Sequence, residues 1–284
     1  MTRSGEQTAL SVASIFDLSS RTAVIAGGGG LLGPKHAEAI AAAGGIPVVV
    51  DIRREAAEAV ANDVRERYGV EASAFAADIT RPDDIEVLLA RILERHGKVD
   101  ILINNAANNP KVEDRQSVAF SRLERFSLAQ WNADLAVGLT GAFLCSQIIG
   151  REMAQRGGGV IVNIASEYGV IAPDQRLYRV EGLAEDEQPV KPISYSVVKS
   201  GLIGMTRYLA TYWANAGIRA NSITVGGIEN GQDRSFLSLA ADRIPLARMA
   251  RADEYQGAIL FLCSDASSFM TGSNLIVDGG KSCW

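Results

Sequence analysis

A phenol and an ammonium stand four positions apart in Tyr195-Ser-Val-Val-Lys199, a spacing that puts both on one face of a helix. There the ammonium can lower the pKa of the phenol and make it a usable acid or base near neutrality. By itself the pair is a weak signal, because the same spacing arises by chance on many solvated helices. Ser166 adds context: it follows the apolar run Val160-Ile-Val-Asn-Ile164, which places its hydroxyl at the C-terminal edge of a strand, within reach of a substrate oxygen.

A second cluster suits a dinucleotide. Ala26-Gly-Gly-Gly-Gly-Leu-Leu-Gly33 directly follows the apolar run Thr22–Ala26 and opens a helical stretch through His36, Ala39, Ile40 and Ala43. Without side chains at Gly27, Gly29, Gly30 and Gly33, and with Leu32 at the turn, backbone N–H groups and the helix N-terminus can approach a pyrophosphate. Asp51 ends the next apolar run, 18 residues after Gly33, where an acid bonds the ribose 2′-hydroxyl and repels a 2′-phosphate. NAD is therefore expected in preference to NADP. Asp51 also suits an N-cap for the helix starting near Arg54, and Arg53 and Arg54 are able to receive a phosphate, so both readings stay open. Asp78 with Ile79, and Asn104-Asn-Ala-Ala107 (Asn105, Ala106 and Ala107 in particular), fall in further post-strand loops, where each equally suits a cap or turn.

These residues need a frame that gathers strand ends. Short apolar runs at 22–26, 46–50, 72–76, 99–103, 160–164, 219–224 and 274–277 alternate with helical periodicity near 54–68, 83–96, 128–155, 194–215 and 253–263. Such alternation predicts a single-domain, doubly wound α/β fold of Rossmann type, with a seven-stranded parallel sheet, helices on both faces and a ligand crevice at the C-terminal strand ends. Residues 1–15 read as a flexible tail and 16–284 as the domain, with a polar insertion at about 170–192 that suits a lid or substrate loop.

The bulk properties agree. The chain has 284 residues, 47% hydrophobic and 21% charged, enough for one large core. A net charge of -5 disfavours a nucleic-acid partner. Three cysteines without C-x-x-C spacing suggest neither a disulfide framework nor a zinc site. No signal-peptide pattern and no apolar run of membrane-spanning length is visible, so a cytoplasmic protein with no membrane partner is expected. His36 and His96 are expected at the surface or at a helix terminus, and Cys145 as a small core residue. The apolar faces of Ile193–Trp213 and of 128–155 exceed what a monomer buries, which predicts a homo-oligomer.

Gly27, Gly28 and Gly33, Asn104-Asn-Ala-Ala107, Ser166, Tyr195-x-x-x-Lys199 and Val277-Asp-Gly-Gly280 together resemble the short-chain dehydrogenase/reductase family from about Phe16 to the C-terminus. The resemblance implies that Tyr195 is the acid/base, that Ser166 polarises the substrate oxygen, and that Lys199 bonds the nicotinamide ribose and tunes Tyr195. It also implies cofactor contacts from Gly226 and Ile228, and a dimer or tetramer. Three departures stand out: Leu31 at the family's middle glycine, Val225 at a usual proline, and Gly138 where a proton-relay Asn is usual.

Ser166 and Tyr195 are 29 residues apart, more than is usual in the family, and the intervening segment carries Arg176, Tyr178, Arg179 and Lys191. Facing it, Asn108, Asn109 and Lys111 follow the fourth strand. With Asn108, Arg176 and Tyr178 as candidate contacts, these polar loops suggest a hydroxylated, anionic small-molecule substrate. A solvated lid with surface ion pairs to Glu181, Glu185, Asp186 and Glu187 explains the insertion nearly as well. Gly30-Leu-Leu-Gly33, Ala172-Pro-Asp-Gln-Arg-Leu-Tyr178 and Tyr208-Leu-Ala-Thr-Tyr-Trp213 resemble a branch associated with flagellin modification and nonulosonic (legionaminic-type) acid biosynthesis, which implies a sugar phosphate or nucleotide sugar. The alternatives are an NADPH-dependent 3-oxoacyl thioester reductase and a non-catalytic dinucleotide-binding sensor or scaffold.

Overall fold

A computed structural model describes residues 11–108 and 121–284. Asn109, Lys111 and the tail up to residue 10 lie outside the described residues. Strand β1 (Thr22–Ala26) is buried at every position because it occupies the middle of the sheet. Around it lie β2 (Ile46–Asp51), β3 (Ser73–Ala76), β4 (Ile101–Asn104), β5 (Gly159–Ser166), β6 (Ile218–Val225) and β7 (Asn274–Val277), in the order β3-β2-β1-β4-β5-β6-β7. All pairings are parallel. The chain winds outward from β1 to β3, then returns to the other side of β1 with β4, which makes the β1/β4 boundary the switch point where a crevice opens.

The helices are α1 (Gly33–Ala42), α2 (Arg54–Tyr68), α3 (Pro82–His96), α4 (Leu128–Leu135), α5 (Gly141–Arg156), α6 (Ile193–Tyr212), α7 (Arg234–Ala241) and α8 (Gln256–Cys263). Strand side chains alternate between two core layers, as the two-residue period requires. Ile25, Val49, Ile103 and Val162 meet α1, α2 and α8 through Ile40, Val64 and Ile259. Val24, Val48, Leu102 and Ile161 meet α3, α5 and α6 through Ile85, Ile149 and Leu209. Cys145 lies in this second layer, as its apolar surroundings in sequence suggest. Leu18 is completely buried and Phe16 partly so, at the start of the expected domain, and the 3-10 turn Ser14–Phe16 spans its expected boundary with the tail.

Three stretches differ from expectation. The helix expected over 128–155 is interrupted by a π-helical turn at Ala136–Thr140, which joins α4 to α5. Helix α7 has no counterpart in the sequence reading; Asp233 caps it by accepting from the Phe236 amide at 2.8 Å. The insertion is built, with 3-10 turns at Gln175–Tyr178 and Glu185–Glu187 and with Leu177 buried. The Gln188 side chain clasps the backbone of Val180 and Leu183, and Arg243 beside α7 bonds Asp174 at 2.5 Å.

Both histidine side chains are buried and lie in end turns of helices, so of the two positions expected, surface or helix terminus, the second is the one found. His96 does end α3, but its ring bonds Ser73 Oγ at 2.8 Å. His36 lies in the first turn of α1, enclosed because that helix packs between β1, β2, α2 and α8. Burial pushes its imidazole down to about 4 from an ordinary 6.5. The folded chain therefore holds His36 neutral while the unfolded chain takes up a proton as pH falls below 6.5. Stability from this group is full above 6.5 and declines toward 4, with about 2 kcal/mol lost between pH 7.5 and 5. Urea unfolding of wild type and His36→Gln at those two pH values should show the wild type losing that much more than the variant.

Candidate active site

The strand ends surround a cleft of about 680 Å³. At its β1 side, Gly27 adopts φ +74°, and a Cβ there would stand 2.6 Å from the Ala106 Cα, so only glycine lets the loops after β1 and β4 meet. Asn105 holds that junction by donating from its side chain to the Gly27 carbonyl at 2.7 Å. A Cβ on Gly30 would meet only the Gly27 carbonyl, at 3.4 Å, and Gly30 leaves bare backbone on the cleft wall.

Gly29 and Gly33 shape the loop from behind and do not line the cleft. The Gly29 amide donates to Asp51 Oδ2 at 3.0 Å, and a Cβ on Gly33 would strike the Gly28 carbonyl. Asp51 Oδ1 accepts from the Arg53 amide at 3.0 Å, which fixes the carboxylate at the rim beside Ile52 and Arg53. Leu32, Asp78, Ile79, Ala106, Ala107, Gly226 and Ile228 also line the cleft. This bare-backbone cradle, ending at an oriented acid, fits a dinucleotide with its pyrophosphate at the glycine loop and a ribose at Asp51.

Ser166 ends β5, and Tyr195 and Lys199 lie in the first two turns of α6; all three face the cleft. Lys199 is buried and donates from Nζ to the Ile164 carbonyl at 2.7 Å. Burial, with Lys191 as a second and smaller cause, lowers its ammonium to about 8. Burial pushes the Tyr195 phenol up and the Ser166 hydroxyl pulls it partly back. The expected lowering by Lys199 is thus not the direction seen, because the Lys199 Nζ lies 5.6 Å from the Tyr195 ring centre and desolvation dominates. Lys191 sits closer, 4.0 Å above the ring centre.

Beneath the trio runs a buried polar chain: Asn104 donates to Ser146 Oγ and Asn163 Oδ1, and Asn163 donates to Thr206 Oγ1. It ties β4 and β5 to α5 and α6. Gly138, at the position of the family's relay Asn, is buried in the π-helical turn, and a Cβ there would stand 2.6 Å from Val198 Cγ1. Gly138→Asn is accordingly expected to cost about 1–3 kcal/mol by overpacking against α6, read as a lowered denaturation midpoint, with no gain in turnover.

On the substrate side, Asn108 and Tyr178 line the cleft, and Tyr178 Oη donates to Tyr168 Oη at 3.4 Å. Arg176 does not: its guanidinium is exposed and bound by Asp174, which draws it away from the cleft. Sequence reasoning missed Phe236, Ile244 and Met249, which form an apolar wall, and a buried ion pair in which Lys281 Nζ lies 2.6 Å from Glu167 Oε1. Burial raises the Glu167 carboxyl while Lys281 pulls it down. The signals were present: Glu167 adjoins Ser166, and Lys281 follows the terminal Val277-Asp-Gly-Gly280.

Residues 21–178 match the family model described as short chain dehydrogenase, and residues 183–282 match one described as enoyl-(acyl carrier protein) reductase. The chain is 31% identical to the D-threitol dehydrogenase of Mycolicibacterium smegmatis over 95% of this chain and 96% of that protein. It is 33% identical to the NAD-dependent glycerol dehydrogenase of Listeria innocua, over 93% of this chain and 95% of the relative. Among solved structures, a gluconate 5-dehydrogenase from Burkholderia cenocepacia in complex with NADP and tartrate matches with a TM-score of 0.83 at 28% identity, covering 96% of this chain and 100% of that one.

Proposed function

Since the chain belongs to the short-chain dehydrogenase family of NAD(P)-dependent oxidoreductases acting on alcohols, we propose that it interconverts a secondary alcohol and a ketone on an uncharged, polyhydroxylated substrate, with NAD preferred. The observation that carries the reading is that Ser166, Tyr195 and Lys199 line the same cleft as the glycine loop and Asp51. When bound, the nicotinamide accepts or returns a hydride. The glycine loop and the start of α1 would hold the pyrophosphate, Asp51 the adenosine ribose and Lys199 the nicotinamide ribose, with Gly226 and Ile228 as further contacts for the nicotinamide end.

In oxidation, Tyr195 takes the proton from the substrate hydroxyl while the Ser166 hydroxyl donates a hydrogen bond to the same oxygen and steadies its developing charge. Burial sets the proton affinity of the phenol, and the Ser166 hydroxyl moderates it. In reduction the protonated Tyr195 returns the proton.

Charge balance supports an uncharged substrate. Of the insertion's three cations, Arg176 is held by Asp174 and Arg179 by Glu185, and only Lys191 lines the cleft. Lys281 is neutralised by Glu167. The names of the threitol and glycerol relatives support the same class. A sugar phosphate or nucleotide sugar, as the nonulosonic-acid resemblance implies, is the second reading and draws its support from Lys191.

The test is reduced-nicotinamide absorbance with NAD or NADP across polyols, sugar phosphates and 3-oxoacyl thioesters. Turnover of polyols with NAD is expected. Turnover confined to sugar phosphates would favour the second reading, and reduction of acyl thioesters with NADPH would overturn both.

A further inference from the structure

We propose that Glu167 and Lys281 form a clamp for the hydroxyl next to the reacting carbon, so that the cleft selects vicinal diols over simple alcohols. The inference rests on the polyol reading and deepens it by saying which part of the substrate is recognised.

The chemistry is one of unspent valences. Glu167 is only 4% exposed, yet it lines the cleft, and its Oε2 has no hydrogen bond. The Gly227 amide is the weakest of the influences on the carboxyl and does not close a bond to that oxygen. Lys281 carries three donors on its ammonium. Two of them reach Glu167 Oε1 at 2.6 Å and Tyr168 Oη at 3.4 Å, and the same Nζ lies 4.8 Å over the Tyr168 ring.

An acceptor and a donor without a partner among the described residues thus belong to one buried pair whose two residues line the cleft, with Glu167 Oε2 itself sealed from bulk water. A hydroxyl needs that complement, because it gives one proton and accepts another. A phosphate or carboxylate does not fit, since it would meet the Glu167 carboxylate and bring no proton for it. A buried acceptor left unpaired is costly, so the fold keeps it only where something else compensates.

The location agrees. Glu167 directly follows Ser166, the residue assigned to the reacting oxygen, and one residue step is at most about 3.8 Å between Cα atoms. Ser166, Glu167, Tyr168 and Tyr195 all line the one cleft, so a group held by Glu167 shares it with the reacting carbinol. Tyr168, whose ring meets that of Tyr195 edge-on at 6.5 Å, joins the clamp to the acid/base.

A purely structural pair, tethering the C-terminal turn to the end of β5, would leave substrate choice untouched. The experiment is therefore the ratio of kcat/KM for butane-2,3-diol to that for butan-2-ol, with saturating NAD, in wild type, Glu167→Gln and the double variant Glu167→Met/Lys281→Met. The double variant keeps the volume and leaves no unpaired buried charge, so it is the one expected to fold if a single change fails. A general loosening slows both alcohols and cancels in the ratio.

Wild type is expected to favour the diol at least about 10-fold, the double variant less than about 2-fold, and Glu167→Gln to fall between, because an amide oxygen still accepts. A ratio that survives in the folded double variant, or a wild type without preference, overturns the clamp. If wild type turns over neither alcohol, the polyol reading fails, and calorimetric binding of D-threitol to the NAD-loaded protein decides the clamp alone. Binding weakened at least about 10-fold in the double variant sustains it, and absent or unchanged binding overturns it.

Discussion

Tyr195→Phe is expected to lower kcat about 10³-fold with the best alcohol found, while the Kd for NAD stays within about twofold. The variant removes one oxygen from a ring whose packing against Tyr168 and beneath Lys191 does not depend on that oxygen. What disappears is the group that takes the proton as the substrate oxygen becomes a carbonyl; Ser166 and Lys199 remain but neither accepts that proton in its ordinary state. The two directions of reaction should also respond oppositely to pH. Burial holds the phenol above its ordinary value, so oxidation, which uses the ionised form, accelerates as pH rises through neutrality. Reduction uses the protonated form and declines only in alkali. Steady-state rates across pH in both directions, with Tyr195→Phe as the flat control, check both points. Turnover of the variant near the wild-type rate would remove Tyr195 from the chemistry.

The second large effect concerns the cofactor. Asp51→Asn is expected to move the NAD-to-NADP ratio of kcat/KM by about 100-fold toward NADP, the scale of one close like-charge repulsion removed. Asparagine is the informative replacement, because its carbonyl still accepts from the Gly29 amide that shapes the glycine loop, and only the Arg53 amide at the rim loses its acceptor. Alanine would orphan that amide and confound charge with loop distortion. Arg53 lies 3.7 Å from the carboxylate with an exposed guanidinium, and without the acid beside it becomes a partner for a 2′-phosphate. The reading predicts that wild type prefers NAD; a wild type that prefers NADP, or a ratio unmoved in Asp51→Asn, would mean that Asp51 serves the loop and not the ribose.

Much of the fold was legible because its signals are local. The apolar runs that became β1 and β7 match to the residue, since each is a short apolar run bounded by Gly or polar residues. The helix α7 was not legible: it has only eight residues, too few for a periodicity to stand out, and its Asp233 cap reads equally as a turn. The π-helical turn at 136–140 was hidden inside a continuous apolar stretch. It follows from contacts with α6, where Leu139 packs on Val198 and Leu202.

At the site the division has the same cause. Spacing along the chain identified Ser166, Tyr195, Lys199, Asp51 and the glycine loop as candidates, because a helix turn and a strand-to-helix turn are set by neighbouring residues. Arg176 shows where spacing misleads: two residues from Asp174, it pairs locally and leaves the cleft.

The sequence by itself determined the order of strands and helices, and with it which loops share the cleft, through periods of two and of about 3.6 residues that any short window reveals. Only the tertiary structure decided that His36 is sealed from water, that the Tyr195 phenol is raised, and that Lys281 meets Glu167 across 114 positions. Those outcomes depend on desolvation and on charges brought from distant segments, and neither quantity exists until the chain has folded.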